Sequence, residues 1–408
     1  MAGFNPGDVF IDAVSVTSPR GGSRNLARQF LSADVTETIF TPGCLVQIRV
    51  IDFDDYLGTF GKLTGDETVT FTFRKPNGGS ATYNLHLNSV KEVEDSGSTK
   101  SKTYVLDCIS EEVFYGQAKH VQKGYNTTID GIVQDVFGEL GSKSRINAEP
   151  TKGKRNIKLA NQPVFHAIEM LRKEAVSEKN KSSNFMFWQT HSGFNFKSIE
   201  EMMSGGDVKT FRRDNTVGHN QNSNFDVNAI AFKVLHSMDA INRIHSGAMN
   251  QRVATFNTHT NTFTWKDIKP KGSDLNSLGQ GIIMTANFIN AFSSGMRAVM
   301  RMVNHNDDVN IDKSHVPETI PHKMMDLARM QEQTMHMTVM GDTVLEAGKT
   351  INNQFPKITS EPNNKDPDAQ ASGRWIISKV KHEIRGPDAR PRWVSHLECL
   401  KGAYEESV

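Results

Sequence analysis

Across the first hundred residues apolar and polar side chains alternate with a period of two, and that pattern leaves few folds open. Val69, Phe71 and Phe73 alternate with Thr68, Thr70 and Thr72; Pro76-Asn77-Gly78-Gly79 interrupts; Tyr83, Leu85 and Leu87 then alternate with Asn84, His86 and Asn88. Successive side chains of a strand point to opposite faces, so this is a β-hairpin with one buried face. Similar stretches run over 10–16, 33–39, 44–51 and 104–109, with turn signals between them. Several short strands at this spacing predict a small sandwich or barrel, not a parallel sheet.

The period then changes. Ile129, Ile132, Val133, Val136 and Leu140 recur at helical spacing behind Asn126-Thr127-Thr128, which offers an N-cap, and Gly141 ends the pattern. Pro163 suits the first position of a second helix, with Val164, Ile168, Leu171 and Ala175 on one face. A connector through Ile157 and Leu159 joins the two. Phe185, Phe187, Phe194 and Phe196 flank a turn at His191-Ser192-Gly193, which makes 113–205 an α+β unit. Alternation returns from Thr210 through Ile230, Phe232 and Val234, grows ragged from Val253 to Trp265, and has no dominant period toward residue 310. A helix is predicted over 321–333, then a strand with Met335, Met337 and Val339, a turn at Gly341-Asp342, and a short strand after Gly348. A polar loop over 355–372 and strands over 375–384 and 393–400 complete the chain.

At 408 residues the chain exceeds what one core organises, so two or more domains are expected. Its 47 Lys and Arg against 46 Asp and Glu lack the electrostatic footprint of a nucleic-acid binder. No basic-then-apolar leader and no run near ~20 apolar residues is present, so synthesis and assembly in the cytoplasm without a membrane anchor are expected. Cys44, Cys108 and Cys399 lie far apart within alternating patterns and read as buried free thiols.

Catalytic chemistry finds little purchase. His382 and Glu383 are neighbours on a strand, point to opposite faces, and read as a structural pair. His305, Asp307, Asp308 and Asp312 lack the Gly-centred spacing of a calcium loop and read as a solvated loop. Gly279-Gln280-Gly281 and Ser204-Gly205-Gly206 read as flexible connections, and no nucleophile elbow, phosphate loop or dinucleotide fingerprint is found. No catalytic, cofactor-binding or metal-ligating residue is assigned, and the chain is expected not to be an enzyme. Met296, Met300, Met302, Met324, Met325, Met330, Met335, Met337 and Met340 are expected to fill core, with a subunit interface as the alternative. Exposed strand edges are the assembly feature: a barrel that does not close leaves N–H and C=O groups that a neighbour's sheet would satisfy.

The closing order of a helix, a strand, Gly341, Leu345, Gly348, a strand, a loop, then strands containing Val380-Lys381-His382-Glu383 and Trp393 to Leu400 is distinctive. So is the opening, with an acidic strand ending at Ile51-Asp52 and Gly65-Asp66-Glu67 entering the Val69 strand. Together they resemble the central baseplate hub proteins of T-even and other contractile-tailed phages, relatives of the base of type VI secretion spikes. The resemblance implies an α+β, predominantly β fold with two tube-like β-barrel domains, an α+β domain and a small inserted domain. These would occupy 1–112, 113–205, 206–235 with 326–402, and 236–325, followed by a tail over 403–408. It implies a homotrimer whose six barrels imitate a six-fold ring on the axis of a virion's tail baseplate. That ring would join the hexameric tail tube, or a tube-initiator protein, to a trimeric central spike, with tape measure and baseplate wedge proteins as further neighbours. Two alternatives stand beside it. One is the base module of a type VI-like spike, although this chain stops at Val408 without the usual β-helical spike. The other is a tail-associated lytic enzyme, which would need a carboxylate constellation in a cleft.

Overall fold

A computed structural model of the chain describes residues 7–20, 22–55, 58, 63–76, 78–96, 100–213, 227–236, 251–257, 262–268, 297–303, 323, 327, 330–331, 333–357, 366–368, 370–386 and 391–401. The fold is predominantly β with an α+β unit. The alternating segments form β1 (Phe10–Ser18), β2 (Gly22–Asn25), β3 (Phe30–Thr38), β4 (Leu45–Asp52), β5 (Thr68–Arg74), β6 (Ser80–Ser96) and β7 (Ser101–Ser110). Helix α1 (Glu111–Ala118) crosses the boundary expected at 113. It is followed by β8 (His120–Thr128), α2 (Ile129–Gly138), β9 (Ile146–Ala148), β10 (Lys154–Pro163) and α3 (Val164–Glu174). Then come β11 (Phe185–Thr190), β12 (Gly193–Ser198), α4 (Ile199–Ser204), β13 (Lys209–Arg212) and β14 (Ala229–His236). The remaining strands are β15 (Gln251–Asn257), β16 (Thr262–Ile268), β17 (Arg297–Val303), β18 (Gln333–Met340), β19 (Thr350–Gln354), β20 (Gly373–Arg385) and β21 (Arg392–Lys401).

Helix α2 buries Ile129, Ile132, Val133 and Val136, as the spacing predicts, and also Phe137, while Leu140 is buried just past the helix end. Its start differs in detail: Asn126-Thr127-Thr128 ends strand β8, and the Thr128 side chain makes no capping bond. Pro163 stands one position outside α3, with extended φ −55° and ψ 140°, because it also ends β10. The expected connector with Ile157 and Leu159 is β10 itself, paired antiparallel with β8. Both strands carry mostly exposed polar residues, so neither shows alternation in sequence. In the ragged segment β15 pairs antiparallel with β16 and parallel with β17.

A 13-stranded sheet runs through the molecule in the order β14-β18-β21-β20-β3-β4-β7-β6-β5-β1-β2, with β13 on β19 and β19 on β20 beside that path. Within it one topology occurs twice. The first set reads β3-β4-β7-β6-β5-β1 and the second β14-β18-β21-β20-β19-β13, so the nth strand of one set is the nth of the other both in space and along the chain. Registers agree over part of their length, although β14 has a further bulge after Val234 and β6 a further one after Lys91 that β3 and β20 lack. Leu87 faces Cys108 just before a bulge at Asn88, and Ile377 faces Cys399 just before a bulge at Ser378. Val35 faces Val46 with a bulge at Leu31, and Val234 faces Met335 with a bulge at Ile230. One departure is that β1 runs antiparallel to β5 whereas β13 runs parallel to β19.

Closed barrels are expected from sequence, yet no continuous ladder closes either set among the described residues. The outer edge of β3, which closure would need, is occupied by β20. Among the described residues each set makes backbone contact with itself at a corner. Leu26 N–H donates to Val14 O at 2.7 Å in the first, and an isolated parallel bridge joins Arg212 and Asn228 in the second.

Each set has its own core. Val46, Ile48, Phe71, Phe73 and Leu106 fill the first, and Met335, Met337, Trp375, Leu397 and Cys399 the second. The α+β unit packs Phe137, Phe165, Phe187 and Phe194. A fourth cluster, with Met186, Trp188, Met202, Met330, Ile376 and Leu400, cements the α+β unit to both sets. Met330, Met335 and Met337 therefore fill core; Met296, Met324 and Met325 lie outside the described residues. Cys44, Cys108 and Cys399 are free and buried. Trp393 belongs to the second set by chain position but to the first core by contact, and Gly341 lies against its ring. A Cβ added at Gly341 would stand 2.1 Å from the Trp393 ring. Gly341→Ala is expected to cost about 2–3 kcal/mol through overpacking, read as a lowered urea midpoint with unchanged slope.

Candidate assembly interface

The two sets join through β20 and β3, which pair antiparallel from Lys379 opposite Thr38 to Arg385 opposite Ser32. Asp34 sits between two cations on the facing strand, Lys381 Nζ at 3.2 Å and Arg385 at 3.4 Å. Glu383, opposite Asp34, is in turn held by Arg385 at 2.8 Å and His396 at 3.0 Å. His382 points the other way. It is buried, takes a hydrogen bond from Trp393 Nε1 at 3.2 Å, and lies 2.8 Å from Ser395 Oγ. Burial, then the nearby His191, push its pKa down to about 3.

Beside this junction three parts of the chain meet on one carboxyl group. Glu37 of β3 is fully buried. Tyr83 of β6 donates its hydroxyl to Oε1 at 2.8 Å, the His191 N–H donates to the same oxygen at 2.9 Å, and the Ala347 N–H reaches Oε2 at 3.4 Å. His191 Nδ1 lies 3.0 Å from Glu346, which also accepts from the Ser192 hydroxyl. Burial, then the Glu346 charge, raise the Glu37 pKa to about 8. A second clasp lies on the same connection, where Asp342 accepts from Lys209 at 2.8 Å and from Lys75 of the first set at 3.4 Å. Asp342→Ala removes the carboxylate that two largely buried ammonium groups share. The expected loss is about 2–3 kcal/mol, measured by chemical denaturation at neutral pH.

Several strand edges have no partner among the described residues, that of β2 at the end of the large sheet included, and two of them stand out. One is β14, which pairs with β18 and exposes Ile230 (53%) and Leu235 (44%). The other is the outer half of β6: Ser80 to His86 pair with β5, but from Ser89 onward β6 pairs only with β7. There residues 91–95 are all exposed, including Val93.

Sequence-predicted residues are scattered. His382 and Glu383 diverge to opposite faces of β20, and no group of three or more His, Cys, Asp or Glu among the described residues could hold a metal ion. His305, Asp307, Asp308, Asp312 and Gly279-Gln280-Gly281 lie outside the described residues. Ser204-Gly205-Gly206, expected to be flexible, is tied down: the Arg374 guanidinium donates to Gly205 O and to Asp207 at 2.6 Å, and Thr350 donates to Gly206 O at 3.4 Å. Sequence reasoning missed Glu37. The signal was present, because Ala33, Val35, Glu37 and Ile39 fall on one face of an alternating strand and a carboxylate there must be buried.

No protein-family model and no curated protein matches the chain. Solved structures do. The tail protein from Neisseria meningitidis MC58 superposes with a TM-score of 0.57 at 11% identity, covering 95% of this chain and 96% of that one. The 43 kDa tail protein of prophage MuSo2 from Shewanella oneidensis gives 0.55 at 9% identity, covering 96% and 98%. The chain thus has the fold of these tail proteins over nearly its whole length.

Proposed function

We propose that this chain is a structural hub of a contractile-tail baseplate, acting as a trimeric adaptor between a hexameric tail tube and a trimeric central spike. The observation that carries the reading is the repeated strand topology: two equivalent strand sets per chain turn three copies into six equivalent positions. The two sets are also fused side by side in one sheet, as neighbours in a ring would be. The tail-protein fold supports a place in a virion tail. Tape measure and wedge proteins would be further neighbours in this reading.

The test is the stoichiometry and location of the chain in purified particles, by image reconstruction without imposed symmetry. Three copies on the tail axis are expected. Six copies in equivalent environments, or a place off the axis, would overturn the adaptor role. The same reading makes the chain non-catalytic. Purified protein incubated with peptidoglycan should release no muropeptides, and release abolished by one carboxylate substitution would refute that.

A further inference from the structure

One corner of the two strand sets is equivalent in backbone and opposite in charge. Ile377 N–H donates to Lys349 O just before β19, and its counterpart Leu87 N–H donates to Glu67 O just before β5, both at 2.9 Å. Lys349 therefore stands where the first set has Glu67. The Glu67 carboxylate is buried and satisfies donors around it: the Thr64 and Gly65 N–H groups at 3.1 and 2.9 Å, and the Ser18 hydroxyl at 3.4 Å. The second set has a lysine at that place, with Gly205-Gly206 beside it. We infer that this corner, where the second set meets the α+β unit, binds a small oxyanion of the phosphate class, which takes the part that the Glu67 carboxylate plays in the first set.

A cavity of about 170 Å³ lies at the corner, walled by Trp188 and Met202 and lined by Lys197, Lys349, Gly205 and Gly206. That volume is below the roughly 300 Å³ at which pockets for drug-sized ligands begin, so the occupant is a small ion. Lys197, on β12, is half-buried, and neither it nor Lys349 makes an ion pair or a side-chain hydrogen bond among the described residues. Burial, then the neighbouring Lys349, hold the Lys197 ammonium below its ordinary pKa. An anion between the two cations offsets both effects. The backbone adds donors. The Gly205 and Gly206 carbonyls are taken by Arg374 and Thr350, which fixes the loop, while neither glycine N–H has a partner among the described residues. Neither glycine carries a Cβ to shield its amide, and one added at Gly206 would meet nothing within 4 Å. Ammonium groups and free backbone N–H groups around a concavity are the donors that an oxyanion accepts from.

Two carboxylates border the same cavity, and both are engaged elsewhere. Glu201 accepts from Lys179 at 3.1 Å, and Glu346 lies 3.0 Å from His191 and accepts from the Ser192 hydroxyl. No group of three or more His, Cys, Asp or Glu among the described residues could hold a metal ion. The uncommitted charge at the cavity is therefore cationic, and the site selects an anion over a metal. The site lies within one chain, so it is independent of the copy number proposed above.

The experiment follows thermal unfolding of the full-length chain in rising inorganic phosphate, with sodium chloride adjusted to hold ionic strength constant. A saturable rise in the midpoint is expected, on top of the unsaturable rise that phosphate gives any folded chain by exclusion from its surface. Lys197→Met and Lys349→Met should each raise the phosphate concentration for half the saturable effect about tenfold. Lys158→Met, exposed on β10, should leave it unchanged. Lys349→Glu returns an acid to the position of Glu67 and should abolish the saturable part in a chain that circular dichroism shows to be folded. In glycine-labelled protein, phosphate should shift the amide resonances of Gly205 and Gly206, a readout that needs no variant. A midpoint with no saturable part, or one whose saturable part is equal in wild type, Lys197→Met and Lys349→Met, overturns the site. A saturable response to acetate but none to phosphate overturns the phosphate class.

Discussion

Replacing Trp393 by alanine will destabilise the chain by about 3–5 kcal/mol, the range for removing a large buried aromatic side chain and leaving its cavity. The indole is fully buried and meets Phe73 edge-on at 5.1 Å, and its Nε1 donates to His382. Its backbone also ties down the N-terminal segment, since Trp393 N–H donates to Gly7 O at 2.7 Å. The position matters more than the size. Trp393 and Ile384 come from the second strand set but pack in the first set's core, so the substitution weakens the coupling between sets as well as one core. Thermal unfolding followed by tryptophan fluorescence and by circular dichroism should change from one coincident transition to two. Trp375→Ala, inside the second core, should cost a similar amount without separating the transitions. Coincident transitions in Trp393→Ala would show that the β20–β3 ladder alone holds the two sets together.

The second large effect is on pH. Glu37 titrates at about 8 in the folded chain against 4.5 for the free group. In the unfolded chain it ionises as pH passes 4.5, while the folded chain keeps its proton. Stability from this group is therefore complete below 4.5, falls as pH rises, and is fully lost once pH passes 8. His382 acts in the opposite direction: with a folded value near 3 against 6.5, its contribution is complete above 6.5 and lost as pH falls toward 3. Between pH 6.5 and 8 only Glu37 of the two changes stability. Over its whole range the loss is on the order of 5 kcal/mol. Glu37→Gln keeps the acceptor for Tyr83 and His191 and gives up the long contact from Ala347. The variant should lose the slope between pH 6.5 and 8 and exceed the wild type in stability at pH 8. An unchanged slope would mean that another group dominates that window.

Much of the local structure was legible. Val69, Phe71 and Phe73 are all fully buried and their threonine neighbours are not, because alternate side chains of a strand share a face. The apolar stripe of α2 and the phenylalanines around His191-Ser192-Gly193 were equally plain. Where polar residues line both faces the pattern vanishes, and β8 and β10 were hidden for that reason. At the interface, sequence pointed to strand edges as the assembly feature but passed over Glu37, although the alternation through Ala33, Val35 and Ile39 places it on the inward face.

What the sequence could not carry is partnership. Alternation says which side of a strand is buried but not which strand lies beside it, since ladder hydrogen bonds are made by backbone groups that nearly every residue has alike. That β20 leaves β19 after Ile376 and takes up β3 is decided by packing between segments more than 300 positions apart, roughly the reach from Ala33 to Ile384. The same long-range packing sends Trp393 into the other set's core and closes three parts of the chain on Glu37. Local sequence set the strands and their faces, and only the tertiary structure decided which edges are covered and which remain open.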